Sequence, residues 1–232
     1  METKKNNKVL RLIVIILVGM TAAMNLLGGI GTTCAAFLTK QFPPMWKLMD
    51  FQWLYQFFVV ATTLVGIAGI WSLIKLIRGG KQAYKNALIV LVVGAVINII
   101  HVVTSILLRG KATPADVVMV INLVTLAFFL FINTPGMRSK VNFDGKSNDS
   151  KTNLTGSVTA IVTGLLVLST PLWAGPTHQF MGSNWVDLLI TPLVVSGGSL
   201  LIGGSVSLIR IKLNERKQLA NQTRQSGTSS AT

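Results

Sequence analysis

Six long stretches of the chain are almost continuously apolar, and polar residues separate them from one another. The stretches cover residues 9–30, 53–77, 86–108, 116–133, 157–173 and 186–209. A hydrocarbon core about 30 Å thick requires roughly 20 apolar residues in a helix, with a range of about 17–25. The stretches lack the strict alternation of membrane β-strands, and their apolar residues would lie all round a helix. The pattern therefore predicts an all-α polytopic membrane protein, a bundle of six transmembrane helices.

The residues between the apolar stretches suggest how the chain is organised. We predict a four-helix transmembrane part at 1–133, with an apolar outer loop at 31–52. Residues 134–156 are rich in Asn, Ser, Asp and Lys, which is typical of a flexible cytoplasmic linker. A transmembrane helix pair follows at 157–213, and the polar tail at 214–232 is predicted to be disordered in the cytoplasm.

Charge is sparse but strongly patterned. Only 12% of the residues are charged, against about a quarter in an average soluble domain, although the formal net charge is +14. All but four of the 21 basic residues fall at the N-terminus, in the second and fourth connections, and at the C-terminus. This alternation is the positive-inside pattern, which predicts that both termini lie in the cytoplasm. The basic residues are not interleaved with aromatic ones, so we expect no nucleic acid partner.

The first apolar stretch resembles a signal peptide only in part. It follows a basic segment and contains the small residues Thr21, Ala22 and Ala23, but it stays apolar as far as Ile30. We interpret it as a retained first helix, because that length spans a membrane. Together these features predict a multi-pass protein of a prokaryotic plasma membrane, the inner membrane where two are present.

Signatures of catalysis are missing from the sequence. All seven acidic residues lie outside the apolar stretches or at their ends, whereas proton-coupled transporters usually carry intramembrane charges. The chain has no phosphate-binding loop, nucleophile elbow or zinc-protease motif, and its single cysteine has no partner for an internal disulfide. We therefore expect a protein that is not an enzyme and has no cofactor.

Polar residues inside the predicted helices recur at helical spacing. In the third helix Asn98 and His101 share one face, as do Thr21 and Asn25 in the first. The residues that we expect to form one polar cluster, in the outer third of the membrane, are Asn25, Asn98, His101 and Asn122. The cluster has two interpretations: interhelical hydrogen bonding, or an outward-opening pocket with Cys34 at its rim.

Small residues and histidines give two further sets of candidates. The glycines expected to allow close helix packing are Gly28, Gly66, Gly69, Gly94, Gly197, Gly198, Gly203 and Gly204. His101 and His178 are alternative haem ligands, and Cys34 is a possible redox nucleophile, although no second cysteine is present to resolve it.

Three functions are compatible with these observations. The first is a non-enzymatic subunit or scaffold that binds the lipid bilayer and other membrane proteins, or itself as a homo-oligomer. The second is a small-solute transporter or channel that uses the polar pocket. The third is a membrane redox subunit or enzyme that uses His101, His178 or Cys34.

Overall fold

The computed structural model describes residues 8–80, 82–138, 141, 143, 149–175, 179–180 and 183–229. The helices in these residues are α1 (Lys8–Phe37), α2 (Gln52–Arg78), α3 (Ala83–Arg109), α4 (Ala115–Ile132), α5 (Pro135–Arg138), α6 (Asp149–Leu168), α7 (Thr170–Ala174) and α8 (Ile190–Ser229). Short 3-10 segments occur at Thr39–Gln41, Pro43–Phe51 and Trp185–Leu189. Strands β1 (Gln179–Phe180) and β2 (Ser183–Asn184) form a two-residue antiparallel ladder.

Within the described residues, six helical segments are long and apolar enough to cross a bilayer. They are Val9–Phe37, Met45–Arg78, Ala83–Arg109, Ala115–Ile132, Asn153–Ala174 and Ile190–Gln218. Large apolar side chains remain exposed on these helices, as contact with lipid requires. The predicted all-α bundle of six transmembrane helices is confirmed.

Helix α1 continues past residue 30, where the sequence pattern placed its end. The Thr32 hydroxyl donates to Gly28 O at 2.7 Å, and the Thr33 hydroxyl donates to Ile30 O at 2.6 Å. Hydroxyls bonded within their own helix need no water, so these threonines do not end it. The stretch 31–52, predicted as an outer loop, consists largely of the last turns of α1 and two 3-10 segments.

Helix α1 occupies the centre of the arrangement. It packs against α2, α4 and α6, while α3 packs against α2 and α4. Helices α6 and α8 pack on each other, and α6 joins this pair to α1. The burial of the spans agrees with these contacts. In the most apolar window of each span, 56% of the first span is buried and only 17% of the last.

The largest buried apolar cluster closes one end of the bundle. We call this the basic end, because it holds Arg11, Lys75 and Arg78. The Arg11 guanidinium donates to Leu76 O at 3.1 Å, which ties the start of α1 to the end of α2. The Tyr84 ring stacks on Phe129 at 4.5 Å, and its hydroxyl donates to Phe129 O at 2.8 Å. The first contact joins α1 to α2 and the second joins α3 to α4, while the apolar cluster contains residues of all four helices.

The stretch predicted as a flexible linker contributes to this cluster. Val141 and Phe143 are apolar residues in a largely polar stretch, and they are buried in the cluster with residues of α1, α2, α3 and α4. Helix α6 already begins at Asp149, inside the same stretch, and α8 continues through Ser229, beyond the start of the predicted tail. The flexibility of the linker and of the tail stays a prediction.

Candidate functional site

A buried polar chain links α1, α3 and α4. The Asn98 amide donates to Asn25 Oδ1 at 3.2 Å, and the Asn25 amide donates to Thr21 O at 2.8 Å. The Thr21 and Thr125 hydroxyls share a hydrogen bond of 2.7 Å. Since Asn98 lies on α3 and Thr125 on α4, these bonds connect three helices through α1. The arrangement is the one that polar residues adopt when they hold membrane helices together.

Asn122 lies on α4 facing Gly94 of α3. A Cβ atom added at Gly94 would lie 2.5 Å from Asn122 Nδ2, so only glycine accommodates this amide. The Asn122 side chain is fully buried, and neither Oδ1 nor Nδ2 has a hydrogen-bond partner. A buried amide without partners is costly, so Asn122 differs from the bonded pair Asn25 and Asn98.

His101 belongs to an aromatic group rather than to the asparagine chain. Its ring stacks on Phe58 with the ring centroids 4.4 Å apart, and Tyr55 approaches edge-on at 5.8 Å. The Tyr55 hydroxyl shares a hydrogen bond of 3.1 Å with Ser105 Oγ, so the group joins α2 to α3. Because the Phe58 ring covers one face of the imidazole, His101 is packed as a flat aromatic residue.

The second proposed haem ligand, His178, lies outside the described residues. Within the part of the chain that the structure describes, no three His, Cys, Asp or Glu side chains come together as a metal site.

Little space adjoins the polar chain. A cavity lined by Thr21, Asn25 and Ser72 encloses about 10 Å³, close to the smallest volume that holds one water molecule. Cys34 lines a different and larger cavity, of about 290 Å³, between α1 and the start of α8. None of the four residues of the predicted polar cluster lines that larger cavity.

The glycines predicted for packing have different surroundings. On α2, Gly66 and Gly69 lie against Leu26 and Ala22 of α1, closer than an added Cβ would allow. Gly28 faces Val118 of α4. On α8, Gly197 and Gly204 contact α6, whereas a Cβ at Gly198 or Gly203 would meet no atom within 4 Å.

Gly19, Gly29 and Gly164 also make close contacts, although they were not among the glycines predicted for packing. A Cβ at Gly164 of α6 would lie 2.7 Å from Gly197 O and 2.9 Å from Leu201 N, both backbone atoms of α8. Together with Gly204, whose added Cβ would lie 2.7 Å from Ser157 O, Gly164 lets α6 and α8 approach closely. The sequence does carry a signal for Gly164, because Gly156, Ala160 and Gly164 recur every four residues, the spacing of small residues at membrane helix contacts.

The fold and these contacts define a multi-pass α-helical protein of a lipid bilayer. Comparison with known protein families, with curated proteins and with solved structures finds no match.

Proposed function

We propose that this protein is a non-enzymatic subunit or scaffold of a membrane complex. The main support is the exposure of α8, which packs on α6 and leaves most of its surface to the surroundings. The polar side chains within the bundle support the same proposal, because Asn25, Asn98 and Thr21 bond to one another around almost no free space. Packing then accounts for them better than transport of a polar solute.

The exposed face of α8 has the pattern of a helix-packing surface. Ser199, Gly203 and Ser207 recur at intervals of four residues, so they lie along one side of the helix. Ser199 and Gly203 are exposed, as are the nearby Val195 and Val206, and Gly203 and Ser207 line an open groove of about 330 Å³ between α8, α6 and the end of α2. Small residues at this spacing let two membrane helices approach closely, which supports a second transmembrane helix as the partner.

We expect Gly203→Leu to weaken the association of α8 with that partner about tenfold, an effect of roughly 1.4 kcal/mol. The added side chain would hold the backbone of the partner helix away from the backbone of α8, which the small residues otherwise let approach closely. Energy transfer between labelled copies in vesicles would measure self-association, and purification in mild detergent would measure retention of other membrane proteins.

The matched control for this variant is Gly198→Leu. It adds the same side chain to open space on α8, but it points about 140° away at 3.6 residues per turn. Equal retention of every partner by wild type and both variants would contradict the proposed role of this face.

The orientation is also a proposal, supported by the basic end of the bundle. Arg11, Lys75 and Arg78 cluster there, and basic residues concentrate on the cytoplasmic side of plasma membranes. We propose a prokaryotic plasma membrane with both termini in the cytoplasm.

Two single-cysteine variants test this orientation. In a Cys34→Ser background, Lys47→Cys and Lys217→Cys each introduce an exposed thiol, one in the connection before α2 and one late in α8. In intact cells a membrane-impermeant maleimide should label position 47 and should label position 217 only after lysis. The reverse pattern would overturn the orientation.

A further inference from the structure

The cavity lined by Cys34 lies at the end of the bundle opposite the basic end. It separates the last turns of α1 and the first turn of α4 from α7 and the start of α8. Its volume of about 290 Å³ is roughly twice the ~150 Å³ of an apolar cavity that binds one benzene molecule. It therefore has room for a ligand, whereas the space beside the polar chain does not.

The walls of this cavity are apolar and uncharged. Leu27, Val118 and Leu193 are among the lining residues, and no charged side chain is among the described residues that line it. The hydroxyls of Thr33 and Ser196 also lie along the wall, but each donates to a carbonyl of its own helix at 2.6 Å. Such a lining favours hydrocarbon and does not suit a phosphate or another charged headgroup.

One polar group in the wall has no partner. Thr170, the first residue of α7, is only 7% exposed, and its Oγ1 has no hydrogen-bond partner. The cavity wall includes this residue. The Oγ1 atom itself is shielded from the cavity, so a ligand that accepts a hydrogen bond from it would remove the cost of the unpaired hydroxyl once the Thr170 side chain rotates toward the cavity.

The cavity lining includes both residues exposed on the surface of the bundle and buried residues. On α1 its lining runs from Leu27 to Cys34, about 10 Å along the helix at 1.5 Å per residue. Ile30 and Leu189 at its edge are 47% and 36% exposed, whereas Leu193 is buried. A chain entering from the bilayer would thus pass from an exposed edge to a buried interior.

We propose that this cavity binds one acyl chain of a bilayer phospholipid, and that the Thr170 side chain rotates so that its Oγ1 donates a hydrogen bond to the ester carbonyl. An ester carbonyl lies at the boundary between headgroups and hydrocarbon, the depth that tryptophan prefers, and Trp173 lines the same cavity. The lipid would fill the gap between α1 and the α6–α8 pair. This site goes beyond the scaffold role and does not rest on it.

Gly31 provides the variant that closes the site. It lines the cavity, and a Cβ added there would meet no atom within 4 Å. Gly31→Leu would thus project a side chain into the cavity and occupy part of it, with room for its Cβ, and leucine is a better helix former than glycine. Gly198→Leu is the control, since it adds the same side chain to open space on α8 outside the cavity lining.

The test uses the full chain in vesicles of a phospholipid with a photoreactive group on its acyl chain. After illumination, mass spectrometry locates the crosslinks. We expect crosslinks in the α1 segment around Gly31 and Cys34, reduced about tenfold in Gly31→Leu and unchanged in Gly198→Leu. Thr170→Val keeps the cavity and removes the hydroxyl, and it should lower the same crosslinks about threefold.

Each outcome decides the proposal. Loss of the α1 crosslinks in Gly31→Leu, with normal folding by circular dichroism, supports it. Equal crosslinking of that segment in wild type and Gly31→Leu overturns it, as does an absence of lipid crosslinks there in wild type. If Gly31→Leu fails to fold, Thr170→Val decides, and unchanged crosslinking in that variant overturns the proposal. Since these readouts do not involve α8 partners, they are independent of the scaffold test.

Discussion

Replacement of Phe143 with alanine is expected to destabilise the protein by about 3–5 kcal/mol, the usual range for a buried phenylalanine. The Phe143 side chain is 4% exposed, and its ring centroid lies 6.1 Å from Tyr84 and 6.3 Å from Phe129. The Arg11 guanidinium lies 5.9 Å from the same ring. Alanine would leave a cavity at the point where the first four helices meet.

Thermal unfolding in a mild detergent would measure this loss as a lower midpoint temperature. Phe57→Ala is the matched control, because Phe57 is 54% exposed on α2 and faces the surroundings of the bundle. We expect the control to shift the midpoint far less. Equal shifts in the two variants would mean that Phe143 does not pack against the bundle in the membrane.

The second large effect is expected at Asn98. Asn98→Leu keeps the branched shape of the side chain but removes the amide that donates to Asn25 Oδ1 at 3.2 Å. Asn25 would then hold a buried carbonyl oxygen without that donor, at a cost of about 1–3 kcal/mol. The same unfolding measurement would detect the loss.

Asn122→Leu serves as the comparison for Asn98→Leu, because both asparagines are buried at helix contacts. Neither polar atom of Asn122 has a partner, so an apolar side chain of the same shape should be neutral or stabilising. If Asn122→Leu destabilises as much as Asn98→Leu, the interpretation of Asn122 as unbonded is wrong. If both variants fold normally but abolish uptake of a solute into vesicles, the cluster serves transport and the proposed packing role fails.

The six spans could be predicted because a bilayer acts on each segment separately. A run of about 20 apolar residues must form a helix in hydrocarbon, where its backbone groups have no other partners. The residues at which the helices end could be predicted less accurately. Helix α1 continues past Thr32 and Thr33 because their hydroxyls donate to carbonyls of the same helix. The apolar pattern of the sequence does not reveal such hydrogen bonds.

The polar cluster could be predicted in its spacing but not in its pairing. Helical periodicity places Asn98 and His101 on the same side of α3. Periodicity does not show that Asn98 bonds to Asn25 of α1, whereas His101 stacks on Phe58 of α2. Those choices depend on how three helices are rotated against one another.

By itself, the sequence determined the class of protein and the number of spans, since hydrophobic length is a property of each segment alone. Only the tertiary structure decided the contacts between distant segments. It buries Phe143 under the first four helices, places Cys34 in a cavity facing α8 rather than beside the asparagines, and puts Gly164 against Gly197. The physical reason is that packing in a membrane depends on the fit of two surfaces, and each chain segment encodes only one of them.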